Sequence, residues 1–428
     1  MNLPGNGPEN RLVFFDNLRF LIVLFVVLQH SGNAYSNLEW WPVVDNKTSM
    51  AVKCLNAFID AFAMPLLFYI AGYFAVPAII KKGPAAFLKG KLKRLGIPWL
   101  ICIFTICPIV PLIYHYTRDG FAVLSSYWGL WVELMKNAAA FDIGIIVSMD
   151  GLMETNQFYQ RYMWFISVLL LFFFIFSTIY GLKRNWFNSY DKPIVPASSS
   201  VLRTISIMVT VGLLTFLGSS VIIQAMLSLV TNLSTPEPFF TLGNVVQFRP
   251  SRIFIFIVYF SFGILTFKYK WIERNKFPGH LPTWIISFVI IIIAFFYARN
   301  LMINGPEDIK QFLGPMVFWL FLNFLTISTL GLSTSLALKY WNLPTAINQN
   351  LATNSYNMYL AHYLFVLVFQ LLLLSSPALP GLLKFGLTSV LSILCAYITC
   401  QFLLRPFPRI AVASALCLFT IMVMVLRT

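Results

Sequence analysis

Apolar runs of roughly twenty residues recur along almost the whole of this chain, separated by short polar connections. Outside water, such runs satisfy their backbone groups only as helices, so the pattern fixes the architecture before any single residue is considered. Of 428 residues, 59% are hydrophobic and 11% charged, whereas about a quarter of a soluble domain is charged. The expectation is an all-α polytopic membrane protein with about 10–11 transmembrane helices and one long outer loop.

The net charge of +15 raises the question of nucleic acid. Its distribution argues against that partner. With a cytoplasmic N-terminus, the inner segments hold 19 basic and four acidic residues, and the outer side holds 11 of each. The whole excess lies on one face, densest in Lys81–Arg94, as the positive-inside rule requires. No cleaved signal peptide is expected, because Asp16 and Arg19 interrupt the first apolar run. The six cysteines include no Cys-x-x-Cys pair and suggest neither a disulfide framework nor a metal site.

Residues 1–11 read as a disordered cytoplasmic tail, 12–408 as one membrane domain, and 409–428 as an extra C-terminal helix. Spans are expected near 14–30, 54–80, 97–114, 163–182, 203–231, 252–268, 281–298, 312–334, 355–375 and 382–404. No soluble domain is expected at either end. Trp40 and Trp41 are placed like interfacial anchors, and Ala71-Gly72 would let another helix approach closely. The fifth run is over-long and must tilt, or break near Gly218-Ser219-Ser220. The long outer connection 115–161 contains an amphipathic stretch, Trp128–Phe141, suited to lying on the membrane surface.

Within the first span stand two ionisable residues, Arg19 and His30. Eleven positions apart, they are almost three helical turns distant, so both leave the same face, with an axial gap of about 16 Å. An ionisable residue inside a span costs about 2.5–3.5 kcal/mol on insertion scales, which makes this stripe a candidate site. A neutral imidazole can take a proton from an attacking hydroxyl, the part a general base plays.

Five motifs now resemble one family in order. Asp16-x-x-Arg19, ten residues and His30 open the first span. Phe68-x-x-x-Gly72-Tyr73-Phe74 follows in the second, and Lys91-x-x-Arg94-Leu95-x-Ile97-Pro98 leads into the third. Trp164-Phe165 opens the fourth, and Ser355-x-x-x-Tyr359-Leu360-x-His362 lies in the ninth. Together they resemble the acyltransferase-3 family of integral-membrane O-acyltransferases over roughly residues 12–408. The family usually has Arg where Lys91 stands. Lys keeps the charge and loses the planar fork that binds phosphate in bidentate fashion.

The resemblance implies transfer of an acetyl or succinyl group from cytoplasmic acyl-CoA to a hydroxyl of an extracytoplasmic carbohydrate, with no metal. It implies residence in the inner (plasma) membrane of a bacterium. His30 is then the expected general base. Arg19 would hold the donor, steered by Asp16, with Lys91 and Arg94 on the nucleotide phosphates. Asp60, Tyr73, Trp164, Tyr359 and His362 complete the expected site as supporting or acceptor-side residues. Lys91 and Arg94 read equally as topology signals, Arg19 as a snorkelling residue, and Asp60 as a headgroup residue. His362 with Tyr359 reads as structural or catalytic. The rival functions are a secondary transporter or flippase, for which no inverted repeat is visible, and a sensor without chemistry.

Overall fold

The computed structural model describes residues 12–119, 127–139, 143–146, 158–188, 198–229 and 239–409, with 412–413, 416–417 and 420. The expected N-terminal tail, parts of the 115–161 connection and most of the expected eleventh span lie outside the described residues.

Ten helices among the described residues are long and apolar enough to cross a membrane. They are α1 (Val13–Asn33), α2 (Met50–Lys82), α3 (Pro84–Arg118), α4 (Arg161–Leu182) and α5 (Val201–Ala225), then α6 (Pro250–Lys268), α7 (Leu281–Asn304), α8 (Ile309–Tyr340), α9 (Ala346–Leu374) and α10 (Gly381–Leu404). The chain is therefore an all-α polytopic membrane protein. Along α3, a π turn at Leu92–Gly96 separates the basic segment from an apolar stretch that starts at Ile97. The surface stretch forms a helix over Tyr127–Ala139.

The most extensive helix contact joins α2 to α6, and its chemistry is steric. A Cβ on Gly72 would collide with the carbonyl oxygen of Phe260, and one on Gly263 with that of Tyr69. Two glycines facing each other let the backbones touch, the association that lipid-embedded helices favour. α5 runs unbroken through Gly218-Ser219-Ser220, so the alternative of a break there is not realised. Gly218 instead makes room for the ring of Phe254 on α6.

α1 lies between α2 and α9 and also meets α8 and α10, which buries Phe14, Phe15, Leu18, Ile22 and Val26. From Phe15 onward they recur every three to four residues, along one face of the helix. The connection from α1 to α2 is fastened to α10. Lys384 Nζ meets Asp45 Oδ2 at 2.5 Å with both side chains buried, and Tyr35 Oη lies 3.0 Å from Thr388 Oγ1.

A small antiparallel sheet, β1 (Ile143–Ile146), β2 (Phe239–Leu242) and β3 (Val246–Phe248), packs its third strand on α4. Gln247 Nε2 donates to Phe158 O and Gln160 N donates to Gln247 Oε1, both at 2.9 Å. These bonds clip residues 158–160, and hence the start of α4, onto the β2–β3 hairpin.

Candidate functional site

His30 sits in the last turn of α1 and meets a second histidine. Its Nδ1 lies 2.8 Å from His362 Nε2 on α9, with the rings 4° from parallel. His362 Nδ1 lies 2.7 Å from the carbonyl oxygen of Tyr359, which can only accept, so that nitrogen carries a proton. In a neutral pair, His362 Nε2 is then bare and accepts the Nδ1 proton of His30. The lone pair of His30 is left on Nε2. His362 is fully buried, whereas His30 lines a cavity.

The cage around this pair is aromatic. Trp41 stacks on His30 at 5.7 Å, and Tyr363 meets it edge-on at 5.1 Å. Trp41 Nε1 donates to Gln370 Oε1 at 2.8 Å, and Gln370 Nε2 donates to the carbonyls of His30 and Ser31. Gln370 thereby couples the end of α1 to the ring behind His30. Trp41 is buried rather than interfacial, correcting the expectation drawn from its position. Two reciprocal bonds seat α4 on α9: Tyr162 Oη donates to Leu360 O at 2.7 Å, and Tyr359 Oη donates to Tyr162 O at 2.5 Å.

The cavity holds about 390 Å³, at the small end of the range for ligand pockets. Beside His30 it is lined by Trp164, Tyr359 and Asp60 among the expected residues. Asp60 is paired with Arg252 of α6 at 2.8 Å and so does not stand free among headgroups. Amides contribute as well, since Asn56 Nδ2 donates to Asn33 Oδ1 at 3.0 Å and to Ser36 Oγ at 3.1 Å. Lys53, Arg161, Arg249, Arg252 and Arg299 line the same space, and the expected site contained none of them. Arg161 has a φ of 55°, in the left-handed region that costs a residue with a Cβ about 1–2 kcal/mol. Neighbouring Tyr159 is pushed up to about 12 by burial, opposed by the charges of Arg249 and Arg161.

Arg19 lies at the other end of α1, outside this cavity. Its Nη2 donates to Ala352 O at 3.1 Å, its Nε to Ser355 Oγ at 3.3 Å, and Asp16 Oδ1 pairs with it at 3.2 Å. Arg19 and His30 thus do leave α1 on one face, and that face is turned to α9. Lys91 Nζ sits 4.0 Å above the ring of Phe173 and within electrostatic range of Arg94, Lys82 and Arg19. Tyr356 Oη donates to Leu95 O at 3.3 Å, joining this basic end of α3 to α9. Tyr73 belongs to neither end. It is buried against Phe15, Phe74 and Phe267.

Ten spans around a histidine pair, with a polar cavity at one end and a cluster of cations at the other, define a multi-pass membrane protein with a buried polar site. The chain belongs to the acyltransferase-3 family, whose profile, described as "Acyltransferase domain", matches residues 12–401. Among curated proteins it is similar to "Glucans biosynthesis protein C" of Escherichia coli strain K12, 24% identical over 185 residues, with 43% of each chain covered. The protein of the same name in Salmonella paratyphi B is 25% identical over 201 residues, covering 43% of this chain and 51% of that one. The chain thus spans about half or less of the length of these relatives, which place it among bacterial membrane proteins. No solved structure matches it.

Proposed function

We propose that this protein is an acyl-CoA-dependent O-acyltransferase of the bacterial inner membrane, moving an acetyl or succinyl group to a hydroxyl of an extracytoplasmic carbohydrate. The observation that carries the reading is the bonded chain from Tyr359 O through His362 to a cavity-lining His30, which in a neutral pair leaves the lone pair of His30 on Nε2. The acceptor hydroxyl gives its proton to His30 Nε2 as its oxygen attacks the thioester carbonyl. The new C–O bond forms, the C–S bond breaks, and the proton passes from imidazolium to the departing CoA sulfur. Base assistance of this kind contributes about 10²–10⁴-fold.

The donor's place in this scheme is the basic end. Arg19, Lys91 and Arg94 together supply cations for phosphates, and the acyl end would extend along α1 for the roughly 16 Å that separates Arg19 from His30. That end is assigned to the cytoplasm by its excess of Lys and Arg, with the cavity on the outer side. The aromatic and amide lining of the cavity suits a sugar, and the name carried by the relatives supports a glucan.

The test is purified protein in proteoliposomes with labelled acetyl-CoA or succinyl-CoA and envelope carbohydrate. Acceptor-dependent release of CoA with label in the carbohydrate supports the enzyme. Uptake of carbohydrate without thioester cleavage would overturn it in favour of a transporter. Mass spectrometry of envelope carbohydrates from a deletion strain identifies the acceptor.

A further inference from the structure

The cations of the cavity have no counterpart in the chemistry proposed so far. Five basic residues, Lys53, Arg161, Arg249, Arg252 and Arg299, line it, and Asp60 is the one carboxylate among the described lining residues. Asp60 is already engaged by Arg252 at 2.8 Å. Topology does not call for these residues, because they gather at the end of the bundle opposite Lys81–Arg94. They also come from separate elements: Lys53 from α2, Arg161 from α4, Arg249 from the turn before α6, Arg252 from α6 and Arg299 from α7. A neutral sugar needs aromatic faces and amides, which the cavity already provides. Like charges around one small void repel one another at low dielectric, and an entering anion reverses the sign of that interaction.

Resting on the acyltransferase reading, we infer that this cavity receives an anionic group, a carboxylate or a phosphate, beside His30 during transfer, with Lys53 and Arg299 among the residues that bind it. Two sources carry that chemistry: a charged substituent on the acceptor glycan, or the distal carboxylate of a dicarboxylic acyl group. Arg299, and Arg252 beside Asp60, bring planar forks suited to such oxyanions, and charge-assisted bonds of this type are roughly twice as strong as neutral ones. Arg252 also lies over the ring of Trp319 at 5.0 Å, and Arg249 over that of Phe239 at 5.1 Å.

The experiment uses the full chain in detergent micelles, as wild type, as Lys53→Gln/Arg299→Gln, and as the charge-preserving Lys53→Arg/Arg299→Lys. Calorimetry measures binding of laminarihexaose and of carboxymethylated laminarihexaose, and turnover is followed in parallel with acetyl-CoA and succinyl-CoA. If the acceptor carries the charge, the carboxymethylated probe binds at least tenfold tighter than the neutral one. The Gln pair then removes that preference, added salt weakens it, and the charge-preserving pair keeps it. If the acyl group carries the charge, the two glycans bind alike, and the Gln pair slows succinyl transfer at least tenfold while acetyl transfer stays within twofold. Equal glycan binding together with an unchanged succinyl-to-acetyl ratio in the Gln pair overturns the inference. Charge-dependent binding with no CoA released from either donor would leave the anion site standing and reject the acyltransferase reading instead.

Discussion

His30 and His362 face each other edge to edge at 2.8 Å, and among the described residues only the second of them has a carbonyl to hold its far nitrogen. That asymmetry orders the protons of the pair and divides the labour between them. His30 is the residue open to the cavity, and His362, buried, is bonded at both ring nitrogens.

His30→Ala should therefore lower kcat by about 10²–10⁴-fold with little change in the KM for acyl-CoA. His362→Ala should lower kcat while sparing binding, and it should also alter the pH profile, which a merely structural role would not do. In the wild type the rate should fall as acid protonates the pair, since an imidazolium cannot accept the acceptor proton, and should level off once the pair is neutral. A wild-type rate that rose as the pH fell, measured by CoA release, would count against His30 as base.

Arg19→Gln should act on the donor alone. The expected result is a KM for acyl-CoA raised at least tenfold, with the KM for the carbohydrate within twofold, measured by steady-state kinetics. Asp16→Asn removes the partner at 3.2 Å and should reproduce a weaker form of the same defect. Equal loss toward both substrates would point to a local folding role for Arg19 at the α9 contact.

The α2–α6 crossing should tolerate no side chain larger than hydrogen. Gly263→Val and Gly72→Val each drive a Cβ into a carbonyl oxygen of the facing helix, so each should destabilise the protein by about 1–3 kcal/mol or more. Thermal unfolding in detergent, followed by loss of monodisperse protein, reads this directly. Gly129, where an added Cβ meets nothing within 4 Å, supplies the neutral control as Gly129→Ala.

The Asp45–Lys384 pair predicts strong non-additivity. Lys384→Met leaves a buried carboxylate without its cation and should cost about 3–5 kcal/mol. The double variant Asp45→Leu/Lys384→Met should recover most of that loss, because both charges go together. The same melting experiment checks it, and additive losses in the double variant would show that the two residues are not energetically coupled.

Much of the architecture was legible from the sequence because a membrane leaves the backbone few choices. The ten expected runs correspond to ten helices, with most ends displaced by a few residues and larger shifts where polar segments extend the helix, from 355 back to Ala346 in α9 and from 97 back to Pro84 in α3. The shared face of Arg19 and His30 followed from helical periodicity alone. Periodicity also identified Gly72 as a point of close approach, although not its partner Gly263. The cavity was not legible in this way. Lys53, Arg161, Arg249, Arg252 and Arg299 are far apart in sequence and belong together only once α2, α4, α6 and α7 have packed. Their one local signal was position: each is a cation at the end of a span where the positive-inside rule does not ask for one. Trp41 misled because a tryptophan beside a span usually marks the interface. Here Gln370, from a helix more than three hundred residues away in sequence, draws it inward.

The buckle between Asp45 and Lys384 has a mechanical corollary. It ties the segment bearing Trp41 to α10 by a link sealed from water, so the wall behind His30 is held rigid from one side. The opposite wall is held by other means, neutral bonds from Gln160 and Gln247 that join the start of α4 to a short hairpin. The imidazole of His30 is thus mounted on the wall that an ion pair braces, across the cavity from the one that amides brace.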